Sequence, residues 1–210
     1  MKMSIVLNVT GICFLNMCVQ YLLVHQIAER RSHYSLSFII GKVFPLKIFT
    51  YSASLCINQL EAVLENIPEI GFFKYSSVES VPSLDEVKPN SIMIFDDIAS
   101  EPGKNRHLQA YFSMGRHKQV DIIFLNQSYT NIFKHLVREN ANLILIFRQD
   151  NLNLKHIFQD HVTPDMKFGK FCEMCSVAWN RRDYGCLLIS KEYELSKGRY
   201  RVGFDTFIIP

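Results

Sequence analysis

The chain has 210 residues, 48% of them hydrophobic and 20% charged, and a formal net charge of +3. That length suits one ordinary domain with a substantial core, and the composition excludes a disordered or fibrous chain. The slight excess of basic residues, 23 against 20 acidic, does not by itself indicate a nucleic-acid binder, which usually shows a strong basic patch.

In chain order, residues 3–24 carry no charge and are long enough to cross a bilayer, but Asn8, Thr10, Asn16 and Gln20 interrupt the run. Three readings stay open: a membrane anchor, a buried helix, or a segment outside the domain. Leu36–Lys42 is predicted as a strand and turn, and Leu46–Tyr51 as a second strand. Leu55–Asn66 has helical spacing and stops at Pro68. Gly71–Tyr75 is a brief strand and residues 76–90 a polar loop. Ser91–Phe95 and Val120–Leu125 are apolar runs of strand length, buried on both faces as in a parallel sheet. A helix over Asn105–His117 joins them. A short helix is expected at Asn131–Arg138 and a strand at Asn142–Phe147. Helices follow at Asn151–Asp160 and Asp165–Trp179, then strands at Cys186–Ser190 and Tyr200–Ile209. Strands alternating with helices predict an α/β fold, a mostly parallel sheet with flanking helices. Cys172 and Cys175 form a lone CxxC within helical spacing, read as core thiols. A redox or metal role is the alternative.

The two apolar runs end in polar groups, and open α/β sheets bind ligands beyond the carboxyl ends of their strands. Ile92-Met93-Ile94-Phe95-Asp96-Asp97 has the pattern of a Walker B strand. In it Asp96 meets a hydrated Mg²⁺ and Asp97 polarises the attacking water. Gln127, one strand later, is placed to position water or sense a γ-phosphate. Arg116 and Arg138 are candidate arginine fingers reaching a neighbouring subunit. Each has an ordinary alternative: a strand-end turn, a satisfied amide, a structural ion pair. Lys104, Arg106, Arg116, His117 and Lys118 form a modest basic cluster, equally a solvated helix face.

Taken together, these motifs resemble the poxvirus-type genome-packaging ATPases of the FtsK–HerA superfamily. Within that group the versions carried by Polinton (Maverick) transposons and related viruses match best. The resemblance rests on Ile92–Asp97, Tyr111–His117, Ile122–Tyr129, Ile146–Asp150, Leu154–Ile157 and Tyr200–Ile208, and covers about Lys47 to Pro210. It implies a P-loop NTPase fold of the ASCE type, ATP and Mg²⁺ as cofactors, and an intracellular homo-oligomeric ring. Double-stranded DNA and capsid components would be its partners.

The family's Walker A loop, GxxxxGK[ST], is missing. Gly41-Lys42 is the only Gly-Lys in the expected region, and Val43 follows it. If Leu36–Ile40 is the first strand, only Gly41–Pro45 separates it from the second, too few residues for a parallel crossover. The expectation is a truncated strand–P-loop–helix unit. Residues 36–210 would then be an incomplete ATPase-like domain, and 1–35 an apolar segment of doubtful membership. ATP hydrolysis should be impaired or lost. The alternative is a non-catalytic remnant or a partner- or DNA-binding protein, anchored to a membrane if residues 3–24 span one.

Overall fold

A computed structural model describes residues 4–7, 20–24, 47–52, 71–77, 80–96, 106–132, 134–181, 185–204 and 206–210. Its strands are β1 (Ser4–Leu7), β2 (Gln20–Val24), β3 (Lys47–Ser52), β4 (Gly71–Tyr75), β5 (Ser91–Asp96), β6 (Val120–Asn126), β7 (Leu143–Ile146), β8 (Leu187–Ser190), β9 (Tyr200–Val202) and β10 (Thr206–Ile209). The helices are α1 (Arg106–Met114), α2 (Asn151–His161) and α3 (Phe168–Asn180). The strands form one sheet in the order β1-β10-β9-β8-β7-β2-β6-β5-β3-β4. From β7 through β2, β6, β5 and β3 to β4 every pairing is parallel, and β8, β9, β10 and β1 continue antiparallel. The predicted α/β class and mostly parallel sheet are therefore observed.

Strand β5 shows why apolar runs become central strands. All six of its residues are buried, because a parallel strand inside a sheet is covered on both faces. One face packs Met93, Phe95, Ile122, Phe124, Ile144, Ile146, Leu187 and Ile189 into a core with the helices. The other carries Ile92, Ile94, Ile123, Leu125, Leu143, Leu145 and Leu188, equally buried. Phe112 of α1 meets Phe124 edge-on at 6.1 Å, and Tyr111 meets Phe95 at 5.4 Å. On α3, Trp179 donates its indole N–H to the Ile146 carbonyl at 3.0 Å, tying that helix to β7. Gly115 begins a 3₁₀ turn under β6, where a Cβ would lie 2.6 Å from Ile122 Cδ1. A side chain there would displace the Ile122 methyl and crowd the Val120 carbonyl, 3.2 Å away.

Several local expectations shift. Helix α3 starts at Phe168 rather than Asp165. Asp165 is instead held in a turn, its carboxylate taking hydrogen bonds from Arg199 and Tyr200. The expected single strand at Tyr200–Ile209 is a pair, β9 and β10, turned at Gly203 with φ 63°. The short helix at Asn131–Arg138 narrows to one wide, π-type turn, Lys134–Arg138. Leu36–Lys42 and Leu55–Asn66 lie outside the described residues.

The largest difference concerns the amino-terminal stretch. Gln20–Val24 forms β2, in the middle of the parallel sheet between β6 and β7. Ser4–Leu7 forms β1, on the antiparallel edge beside β10. The described parts of residues 3–24 are strands, and among the described residues no helix is long and apolar enough to cross a membrane. With β2 as the strand before β3, the connection is residues 25–46. That exceeds the dozen or so residues a parallel crossover needs. The short gap inferred from a strand at Leu36–Ile40 does not apply to this arrangement.

Candidate functional site

The sheet order creates a switch point at β2. The chain leaves β2 for β3 on one side, whereas the link from β6 to β7 passes over β2 to the other side. Ligands of open α/β sheets sit at such points, outside the carboxyl ends of the strands. In register, Ser52 pairs with Asp96, Asp96 with Leu125, and Val24 with both Asn126 and Ile146. Asp96 and Asn126 thus end neighbouring strands at this edge, and both are buried. Gln127 follows Asn126 directly and is exposed. Asp97, Gly41 and Lys42 lie outside the described residues.

The loop after β6 is fixed by short polar side chains. Asn126 Oδ1 accepts from the Ser128 N–H at 3.1 Å, a side-chain turn of the kind asparagine favours. Asn153, buried in the first turn of α2, accepts from Ser128 Oγ at 3.2 Å and from the Thr130 N–H at 3.1 Å. Its own N–H and Nδ2 donate to the two carboxylate oxygens of Asp150. Asp150 caps α2, and the cap hydrogen bonds from Asn153 hold its carboxyl below the usual range. The result is a clamp between α2 and the residues next to Gln127.

Arg116 and Arg138 belong to the opposite edge. Arg116 sits in the 3₁₀ turn before β6 and pairs with Glu192 at 2.9 Å, its side chain 49% exposed. Asn142, just before β7, donates to the same Glu192 carboxylate. Lys118 pairs with Asp85 at 2.8 Å, so two members of the basic cluster, Arg116 and Lys118, are charge-compensated. Arg138 is an internal strut. Its guanidinium donates to the carbonyls of Ile132 and Thr130 and to Asp160 at 3.0 Å, and lies 4.3 Å from the Tyr129 ring centroid.

Tyr129 Oη lies 2.9 Å from Asp160 Oδ2 and 2.7 Å from His161 Nε2. Its single proton goes to Asp160, and the oxygen accepts from the Nε2–H of a neutral His161. Burial, together with the cations Lys191, Arg138 and Arg199, pulls the His161 pKa down to about 4. Burial opposes ionisation of Asp160, but hydrogen bonds from Tyr129 and Arg138 outweigh it and hold the carboxyl below its ordinary value. No sequence pattern marks this network, because its members meet only through the packing of α2 on the loop after β6.

Does the set fit ATP and Mg²⁺? A magnesium ion needs one or two carboxylates plus substrate phosphates, and Asp96 at a strand end fits that need. Phosphates need a glycine-rich loop with a lysine. The residues after β2 are His25-Gln26-Ile27-Ala28-Glu29-Arg30-Arg31. There is no glycine between Gly11 and Gly41 and no lysine between Lys2 and Lys42. The phosphate half of the site does not fit, and no hydrolytic step follows from these residues. Among the described residues no three His, Cys, Asp or Glu converge as a metal site. Cys175 is buried with its thiol pushed strongly up, and Cys172 is raised too, both by burial, which argues against reactive thiols.

Several solved structures share this architecture. The genome packaging NTPase B204 from Sulfolobus turreted icosahedral virus 2, in complex with ATPγS, superposes with a TM-score of 0.59 at 11% identity. That match covers 90% of this chain and 98% of the other. B204 of Sulfolobus Turreted Icosahedral Virus, described as a DNA-packaging ATPase, gives 0.59 at 14% identity with the same coverage. The chain has the fold of the packaging NTPases. No family model and no curated protein matches the sequence.

Proposed function

We propose that this chain descends from a poxvirus-type packaging ATPase of the Polinton or related viral kind, and that it has lost its phosphate-binding element. In this reading Asp96 is the inherited magnesium carboxylate, Asp97 the inherited water-activating carboxylate and Gln127 the former γ-phosphate sensor. The ancestral motor acted as an intracellular ring on double-stranded DNA and capsid components. Arg116, exposed and held by one surface ion pair, is the arginine available to a neighbouring copy. Arg138 is committed within its own chain. The ATPase-like domain includes β1 and β2 as well as residues 36–210. What remains is a non-hydrolysing subunit that works by binding partners or DNA.

The observation that carries this reading is the strand at the switch point. β2 occupies the central position, yet the sequence that follows it offers one glycine and one lysine, Gly41-Lys42, with Val43 where the motif needs Ser or Thr and no glycine five residues before Gly41. Residues 25–46 are long enough for a loop and a helix, so the motif is missing even though room for it remains. The packaging NTPases named above share the fold, and one of them is described in complex with an ATP analogue.

Calorimetric titration of ATP with and without Mg²⁺, alongside steady-state phosphate release, tests the proposal. The expected result is no turnover, with Asp97→Asn indistinguishable from the natural chain. Steady phosphate release that Asp97→Asn abolishes would overturn it.

A further inference from the structure

A cleft of about 450 Å³ opens between the π-type turn, the end of α2 and the β8–β9 connection. It is lined by Arg138, Glu139, Asp160, His161, Lys191 and Arg199, with Pro164. Its volume falls in the range of small-molecule sites. It belongs to the amino-terminal edge of the parallel strands, since Lys191 follows β8 and its N–H bonds to the Asn142 carbonyl just before β7.

Three cations meet here, Arg138 from the π-type turn and Lys191 and Arg199 from the two ends of the β8–β9 connection, and their hydrogen bonds are only partly used. Arg138 spends three of its five N–H donors on Ile132 O, Thr130 O and Asp160. Arg199 spends its Nε–H on Asp165 and one Nη2–H on the His161 carbonyl, with the Tyr200 hydroxyl a further partner of the guanidinium, and still has donors to give. Lys191 gives two of its three N–H groups to the carbonyls of Arg138 and Glu139. The two arginines each hold one carboxylate, Asp160 and Asp165, whereas the hydrogen bonds of Lys191 go to neutral carbonyls. Of the acidic neighbours, Glu139 turns its Oε1 to His135 at 2.9 Å. Asp160 commits Oδ2 to both Tyr129 and Arg138. Charge-assisted donors on a planar guanidinium and an ammonium are the partners that phosphate oxygens take.

We propose that this cleft is a binding site for a phosphate-class oxyanion, held by Lys191 and Arg199 with the spare N–H groups of Arg138. It is separate from the carboxyl edge and does not depend on the loss of ATP turnover. The anion comes either free, as phosphate or pyrophosphate, or as the backbone of a nucleic acid. His161 reports on the site. Its neutral form reflects burial and the field of Lys191, Arg138 and Arg199, opposed by Asp160, and Tyr129 is its hydrogen-bond partner. An anion in the cleft compensates those cations and makes the imidazole easier to protonate.

The test uses the full chain with its histidine ring resonances followed by NMR during a pyrophosphate titration. Saturable movement of His161 is expected, with a roughly tenfold gain in its proton affinity. Lys191→Gln should weaken pyrophosphate binding about tenfold or more, Lys191→Arg should retain it, and Lys118→Gln, a cation outside the cleft, should leave it unchanged. The proposal falls if His161 shows no saturable response, if Lys191→Gln binds as tightly as the natural chain, or if Lys118→Gln abolishes binding. A short DNA duplex separates the sources. Displacement of pyrophosphate identifies the nucleic-acid backbone, and no displacement identifies the free anion.

Discussion

The two edges of the parallel sheet differ in kind. At the carboxyl edge Asn126, Ser128, Thr130, Asn153 and Asp150 hold one another through amide, hydroxyl and cap hydrogen bonds. At the amino edge Arg116, Arg138, Lys191 and Arg199 work with Glu192, Asp160 and Asp165. The first edge is where the fold places ligands, and its sequence departs from what a phosphate requires. The second edge has no ligand role in the packaging-ATPase reading, yet it holds the ion pairs Arg138–Asp160 and Arg199–Asp165. The partly buried ion pairs and the proposed magnesium site therefore lie at opposite edges of one sheet.

That contrast can be broken by mutation. Arg138→Ala should have the largest effect, destabilising by about 3–5 kcal/mol, because it leaves Asp160 without its cation and two carbonyls without donors. Urea denaturation measures this, and a loss under about 1 kcal/mol would remove the amino edge's claim to stability. Next is pH. His161 is neutral when folded, with a pKa of about 4 against an ordinary 6.5. Between those values the unfolded chain binds the extra proton, so stability falls as pH drops from 6.5 toward 4. The upper bound is ~3 kcal/mol, and the loss should shrink sharply in His161→Gln. Asn153→Ala sharpens the other side. It should cost about 1–3 kcal/mol by leaving the Thr130 N–H without its acceptor and removing the Nδ2 hydrogen bond to Asp150, and hydrogen exchange should quicken at Ser128–Thr130. Arg116→Gln should change stability least, within about 1 kcal/mol, since its ion pair is exposed.

Sequence reading reached the parts whose signals are local. Strands β5, β6, β7 and β8 are short apolar runs with polar ends, and their positions follow from that pattern within a residue or two. The placement of Asp96 and Gln127 on adjacent strands of one edge follows from the same pattern. The clamp of Asn153 on the loop after β6 went unread, because its partners meet only when α2 packs against that loop. The role of Arg138 was not legible, because its partners Tyr129 and Asp160 are set by how α2 packs. Nor was β2. Its uncharged surroundings suit a membrane span as well as a strand, and only its two parallel neighbours distinguish them. The start of α3 was misplaced because Asp165 is recruited by Arg199 and Tyr200, a tertiary contact that keeps it out of the helix.

The position of β2 also governs the order in which the chain is able to fold. Both of its neighbours come more than 90 residues later in sequence, so β2 leaves the ribosome long before either β6 or β7 exists. Pairings of such high sequence separation form slowly. Until β2 inserts, β6 and β7 each present an apolar, unpaired parallel edge, the kind of surface that recruits other chains. Refolding should therefore be slow and sensitive to protein concentration, with the central strand of the finished sheet among the last to be seated.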